Sequence, residues 1–290
     1  MTRRGALLFA AMCVIWGIPY LMIRVAVREL APVTLVFLRT GIAALLLAPV
    51  AVWRGELRPL LARWKPLVVY TAVEVAIPWV LLARAETKLT SSLTGLLIAA
   101  VPLVGALVVT LTGDRERLGS RRWLGLLVGI GGVAALVGLD VGQVDVVALV
   151  EIGLVAVGYA IGPIIFARSL ADLSALAVVA VSLVVTALVY APFAATHWPS
   201  QRPSAHVIES VIGLATICTA LAFLLFFALI AEVGPVRATV ITYVNPAVAA
   251  LLGVALLNER LTTGMVIGFV LVLLGCFLAT GEGPEVVAEP

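Results

Sequence analysis

The chain has 290 residues, of which 63% are hydrophobic and 12% are charged. Soluble domains are about 45–50% apolar and about 25% charged, so this composition excludes an ordinary soluble protein. The formal net charge is +3, but the basic residues are scattered through short loops and form no stripe, which argues against nucleic-acid binding. The three cysteines lie in apolar runs without C-x-x-C spacing, so neither a zinc site nor a disulfide framework is indicated.

Ten apolar stretches, bounded by charged residues, Pro and Gly, follow one another along the chain. A helix that crosses a bilayer needs about 20 apolar residues, and each stretch is of roughly that length. We therefore predict an all-α integral membrane protein with ten transmembrane helices, which leaves no room for a soluble domain. The predicted spans are 6–27, 33–53, 67–85, 91–112, 123–140, 147–168, 175–196, 208–231, 236–257 and 264–280.

The loop charges predict an orientation. Lys and Arg accumulate in the cytoplasmic loops of membrane proteins, and here they are concentrated in the loops on the side of the N-terminus. Both termini are therefore predicted to be cytoplasmic, in a bacterial inner membrane. The N-terminal side carries Arg3, Arg4, Arg54, Arg58, Arg63, Lys65, Arg115, Arg117, Arg121, Arg122, Arg168 and Arg237, and the other side carries Arg28, Arg84, Lys88, Arg202 and Arg260.

The chain repeats itself with an offset of 143 residues. Trp16 falls on Tyr159, the Ala-Pro pair at 48–49 falls on 191–192, and the Glu-Arg-Leu triplet at 116–118 falls on 259–261. We predict two five-helix repeats, 1–141 and 142–281, followed by a short mobile tail, 282–290. Because five is an odd number, the second repeat must enter the membrane with the opposite sense. Inverted repeats place a substrate cavity near the midplane, at the interface between the repeats.

Glu74 is the most informative polar residue, because it lies near the middle of the third predicted span. An ionisable group there is expensive and usually faces a cavity or a partner. It is a candidate for a substrate ammonium or a proton, and a buried structural acid is the alternative. Pro78 lies one turn further on the same face, and its neighbour Trp79 offers an aromatic wall.

Other polar and aromatic residues near midplane prolines are candidate cavity groups. An aromatic residue from each repeat can attract a substrate cation through its ring face, although helix packing explains such residues equally well. Hydrogen-bonding side chains before Pro246 suit a zwitterion, or hold helices together. Arg39 is more consistent with a structural ion pair or a carbonyl clamp than with substrate binding, which stays the alternative. The candidates are Trp16, Tyr20 and Tyr159 for the aromatic wall, and Thr94, Thr242, Tyr243 and Asn245 for hydrogen bonding.

The sequence lacks the motifs of several other classes. It contains no G-x-x-x-x-G-K-[ST] motif, so no P-loop is predicted. The G-x-G-x-x-A match at 129–134 lies inside an apolar span and is interpreted as helix packing. The glycine pairs Gly125/Gly129 and Gly264/Gly268 allow close helix approach, within the fold or in a dimer. We expect no catalytic residues, no metal site and no cofactor.

Taken in order, several short segments resemble the drug/metabolite transporter superfamily, and within it the ten-helix group with two EamA domains. They are Ile15-Trp16-Gly17, Pro32 with Phe37-Leu38-Arg39, Pro102, Tyr243-Val244-Asn245-Pro246, Asn258-Glu259-Arg260-Leu261-Thr262 and the Gly264/Gly268 pair. Many members have Gly where this chain has Asn258, which bears only on loop geometry.

The resemblance implies a membrane carrier for small metabolites, with its nearest likeness to bacterial amino-acid exporters of the YddG type. We therefore expect export of amino acids or related small metabolites by alternating access, with the lipid bilayer and a small-molecule substrate as partners. Export of cationic or apolar drugs is the main alternative, and a channel or a membrane enzyme fits less well. Proton coupling and the choice between monomer and homodimer stay open.

Overall fold

The computed structural model describes residues 2–112, 120–138 and 145–280. Within them the fold is entirely helical, with no strand. Eight helices are long and apolar enough to cross a membrane, and two further apolar helices are shorter. We number them α1 (Arg3–Ala26), α2 (Pro32–Trp53), α3 (Trp64–Ala85), α4 (Ser91–Val108), α5 (Ser120–Gly138), α6 (Val146–Ser169), α7 (Ala175–Thr196), α8 (Ala205–Val233), α9 (Ile241–Leu257) and α10 (Thr263–Ala279).

At their described ends the predicted spans agree with the helices to within three residues, except at the start of the ninth span, where a short helix, Pro235–Ala238, precedes α9 and α9 itself begins at Ile241. Hydropathy places these helices well because the bilayer requires long apolar segments whose backbone groups are all satisfied internally. The end of the fifth span, the triplet at 116–118 and the tail at 282–290 lie outside the described residues.

Two long helices contain a short segment of π-helix. It covers Thr71–Ala76 in α3 and Thr216–Leu221 in α8. Such bulges widen the turn and often occur at functional sites. Both segments carry a buried threonine, Thr71 and Thr219, whose hydroxyl also bonds to the preceding turn of its own helix.

Glycines hold α5 and α10 in backbone contact. A Cβ atom built on Gly132 would lie 2.6 Å from the backbone nitrogen of Val272 and 2.8 Å from the carbonyl oxygen of Gly268. One built on Gly125 would lie 2.8 Å from the carbonyl oxygen of Gly275. These glycines therefore serve packing within the chain, one of the two interpretations that the sequence left open.

Polar contacts tie the helices together at both ends of the bundle. The first end, which contains residue 3, has contacts between Thr2 and Glu232, Glu56 and Ser174, and Arg63 and Asp172. The second end has contacts between Arg24 and Glu86, Glu29 and Ser204, Thr34 and His197, and Arg84 and Glu151.

Candidate functional site

A buried arginine lies between α2, α3 and α8. Arg39 is 8% exposed, its Nε donates to Thr219 Oγ1 at 3.0 Å, and its Cζ lies 3.7 Å from the ring centroid of Trp79. Among the described residues Arg39 forms neither the ion pair nor the carbonyl clamp expected from the sequence, and contacts a hydroxyl and an aromatic face instead. Both of these contact partners are neutral, and the buried acid Glu86 interacts with Arg39 electrostatically without a hydrogen bond among the described residues.

A carboxylate lies in the same region, on the π-helical segment of α3. Glu74 Oε2 is buried and has no hydrogen-bond partner among the described residues. The same oxygen packs against Gly162 of α6, where an added Cβ would overlap it. Gly162 thus supplies the space that the carboxylate occupies. Because its side chain is a single hydrogen, nothing in the sequence marked this role.

Two tyrosines link these charges. Tyr159 of α6 interacts electrostatically with both Glu74 and Arg39. Tyr20 of α1 interacts with Tyr159 and Arg39, and is 8% exposed. We use the name central cluster for the group of Tyr20, Arg39, Glu74, Trp79, Tyr159 and Thr219. It joins helices from both halves of the chain and contains one guanidinium and one carboxyl group.

Several other candidates from the sequence lie apart from this cluster or face their own helix. Trp16 packs against Phe226 and Phe223 of α8, with ring centroids 4.6 and 6.0 Å away. Thr242 is exposed and donates to the carbonyl of Thr239 at 2.7 Å. Thr94 is fully buried, and its hydroxyl has no hydrogen-bond partner among the described residues.

The remaining candidates occupy packing positions. With its amide nitrogen turned toward two carbonyl groups, Asn245 donates to Cys13 of α1 at 2.9 Å and to Ile241 at 3.0 Å. Tyr243 is half-buried and packs against the main core. Pro78 is buried and lies against Gly158 of α6. These residues position helices around the central cluster.

Glu259 has a role that the sequence did not reveal. Its carboxylate accepts five hydrogen bonds from the backbone and hydroxyl groups of Ser91 and Ser92, at 2.6 to 3.1 Å. It therefore caps the first turn of α4, where free N–H groups and the helix dipole favour an anion. Asn258 before it has φ 55°, a conformation that Asn and Gly adopt most readily. This explains why Asn is suitable where relatives have Gly.

We expect Glu259→Ala to destabilise the protein by about 2–4 kcal/mol, since hydrogen bonds to charged groups contribute about 1.5–3 kcal/mol each and do not add fully. The measurement is thermal unfolding of purified protein in detergent. Glu209→Ala is the matched control, because the Glu209 side chain is 74% exposed. Equal unfolding temperatures for the two variants would contradict the capping role.

Long apolar helices packed around a buried charged cluster define the class: a multi-span membrane transporter. The model of the EamA-like transporter family matches residues 3–138 and 148–281. The chain belongs to this family.

Similar proteins carry transporter names without a stated substrate. An uncharacterized inner membrane transporter of Escherichia coli K12, YedA, is 29% identical over 282 residues, which is 92% of this chain and 90% of that protein. An uncharacterized transporter of Archaeoglobus fulgidus is 25% identical over 266 residues, or 91% of this chain and 94% of that one. A solved crystal structure at 20% identity shares the fold, with a TM-score of 0.67 and 97% coverage of both chains. The protein is therefore a multi-pass membrane transporter.

Proposed function

We propose that the protein exports amino acids or related small zwitterions by alternating access, and that the central cluster binds the substrate. One observation carries the proposal. Among the described residues, Arg39 contacts the neutral groups of Thr219 and Trp79 and Glu74 Oε2 has no hydrogen-bond partner, while Tyr159 interacts electrostatically with both side chains.

The two charges are complementary to the two ends of an amino acid. The planar guanidinium of Arg39 matches the geometry of a carboxylate. The carboxylate of Glu74 pairs with an ammonium group, and the rings of Trp79 and Tyr159 attract the same cation through their faces. A zwitterion supplies both missing partners at once, which offsets the cost of keeping these charges away from water.

The packing of the helices supports two inverted five-helix repeats, 1–141 and 142–281. Residues 39 and 182 are related by the 143-residue offset, and each contacts a threonine in a π-helical segment. Arg39 contacts Thr219 at 3.0 Å, and Ser182 contacts Thr71 at 2.8 Å.

The glycine contacts follow the same symmetry. With the 143-residue offset, Gly125 is equivalent to Gly268, and Gly132 is equivalent to Gly275. The contact between Gly125 and Gly275 is therefore the symmetry equivalent of the contact between Gly132 and Gly268. We infer that all ten helices cross the membrane and that the two repeats rock against each other. Since the first end of the bundle carries most loop Lys and Arg residues, we place it and both termini on the cytoplasmic side.

Ligand binding to purified protein tests the site. An amino acid that binds should raise the unfolding temperature, while its amide, which lacks the carboxylate, and its deaminated acid, which lacks the ammonium, should bind at least tenfold more weakly. Glu74→Gln should reduce amino-acid affinity about 10- to 100-fold, because one charge-assisted contact contributes about 1.5–3 kcal/mol. Glu209→Gln is the control and should bind normally. Equal binding of all three compounds would contradict a zwitterion site.

Export of cationic or apolar drugs is a second candidate, favoured by the unpartnered Glu74 oxygen beside aromatic rings. Loss of organic-cation binding in Glu74→Gln, with amino-acid binding retained, would support it over the first.

A further inference from the structure

A second buried acid lies outside the central cluster, at the second end of the bundle. Glu86 follows the last turn of α3 and is 0% exposed. Neither of its carboxylate oxygens has a hydrogen-bond partner among the described residues. An isolated ionised carboxylate in such a position costs several kcal/mol.

Among the described residues, neither nearby cation forms a hydrogen bond with the carboxylate of Glu86. The guanidinium of Arg24 in α1 donates to the backbone carbonyl of Glu86 rather than to its carboxylate. Arg39 of α2 interacts with Glu86 electrostatically, while the guanidinium of Arg39 donates to Thr219 and stacks on the ring of Trp79. Glu259, before α10, adds a like charge, and Tyr20 of α1 is the neutral titratable group within range.

These surroundings favour the neutral form of Glu86. Burial, reinforced by the negative charge of Glu259, raises the pKa of Glu86 well above its ordinary range, against the opposing influence of Arg24 and Arg39. In water a glutamate has a pKa of about 4.3. The acid therefore binds a proton more tightly when this end is sealed than when it is hydrated.

Three polar contacts join helices and loops at the second end. Arg24 joins α1 to the end of α3, Glu29 joins the loop after α1 to Ser204 before α8, and Glu259 joins the loop before α10 to α4. If the repeats rock apart at this end, the two contacts that join one repeat to the other, Glu29 with Ser204 and Glu259 with α4, break and water reaches the acid.

We propose that Glu86 is a proton-binding site that gates the second end: closure of that end takes up one proton from the adjacent compartment, and opening releases it. This inference rests on the opening motion of the proposed function, but not on the identity of its substrate. The direction of the pH effect follows from the linkage between proton binding and closure. Acid favours the closed end, and the closed form is lost as the pH rises through the raised pKa. Between the two pKa values the ratio of closed to open changes about tenfold per pH unit.

Distance measurement across the second end tests the gate without any substrate. Thr87 and Arg202 are exposed and lie in loops from the two halves of the chain. The double variant Thr87→Cys/Arg202→Cys accepts a pair of spin labels, since the native cysteines are buried. Pulsed electron resonance in lipid nanodiscs from pH 4 to pH 9 should show a growing population at longer distance as the pH rises.

The same pair with Glu86→Gln should stay short at every pH, because glutamine is neutral and nearly identical in shape. With Glu209→Gln it should behave as the parent does. Infrared difference spectra provide a second readout: the band of a protonated carboxylic acid at neutral pH should weaken in Glu86→Gln and not in Glu209→Gln. A pH-dependent distance that survives Glu86→Gln, or a distance independent of pH in the parent, would overturn the gate. Failure of the substrate proposal would appear separately, as absent amino-acid binding.

Discussion

Gly132→Val is expected to destabilise the bundle by about 3 kcal/mol or more. An added Cβ at this position meets backbone atoms of α10, namely Val272 N at 2.6 Å and Gly268 O at 2.8 Å. Backbone cannot rotate away as a side chain can, so the two helices must separate along the whole contact. Overpacking a tight interior usually costs about 1–3 kcal/mol, and a backbone collision lies at the upper end of that range.

Gly131→Val is the matched control on the same helix. A Cβ at Gly131 meets nothing within 4 Å, so this variant should unfold within about 1 kcal/mol of the parent, the usual scale of glycine replacement in a helix. Unfolding in detergent, followed by tryptophan fluorescence, measures both variants. If the two variants have equal free energies of unfolding, α5 and α10 are not in backbone contact at Gly132.

Gly162→Ala is expected to reduce transport at least tenfold while the protein still folds. The new methyl group would occupy the position of Glu74 Oε2. The carboxylate of Glu74 must therefore move away from the surface of α6 against which it packs. A misplacement of about 1 Å at a binding group can reduce activity about 100-fold. The measurement is the initial rate of substrate counterflow, with the unfolding temperature as the check on folding.

Gly153→Ala makes the same chemical change on the same helix, at a position where a Cβ meets nothing within 4 Å. Its transport rate should match that of the parent. Should Gly162→Ala transport normally, the carboxylate of Glu74 has no part in carrying substrate.

The sequence predicts the helices well, for a clear physical reason. A bilayer admits only long apolar helices, so hydropathy alone locates α1 to α10, and only their ends move by a few residues. The same logic draws attention to Glu74, an acid in the middle of an apolar span, and to the aromatic residues Trp79 and Tyr159. The structure places Trp79 against Arg39, and Tyr159 interacts electrostatically with both Arg39 and Glu74.

Features that depend on helix rotation and on local backbone form were not predictable in this way. The π-helical segments have no sequence signature that hydropathy detects, yet they carry Glu74 and Thr219. Trp16 is predicted to line the cavity as the repeat partner of Tyr159, but it faces the phenylalanines of α8. Which face of a helix a residue occupies depends on neighbours far along the chain.

Loop residues were the least predictable. Glu86 and Glu259 stand in short connections, where an acid is expected to reach water. Instead Glu86 is fully buried and Glu259 binds the first turn of α4. In both cases a partner more than 60 residues away decides the environment. The roles of glycines are equally hard to predict. Gly162 and Gly153 lie on the same helix, but Gly162 faces Glu74 and a Cβ on Gly153 would meet nothing within 4 Å.

The central claim is that Arg39 and Glu74 together carry a zwitterionic substrate across the membrane. The most direct measurement is counterflow of radiolabelled amino acids into proteoliposomes preloaded with the same unlabelled amino acid, over a panel of side chains. We predict saturable counterflow for at least one amino acid, reduced at least tenfold by Glu74→Gln and unchanged by Glu209→Gln. Absence of saturable counterflow for every amino acid in the panel, with correctly folded protein in the vesicles, would contradict it.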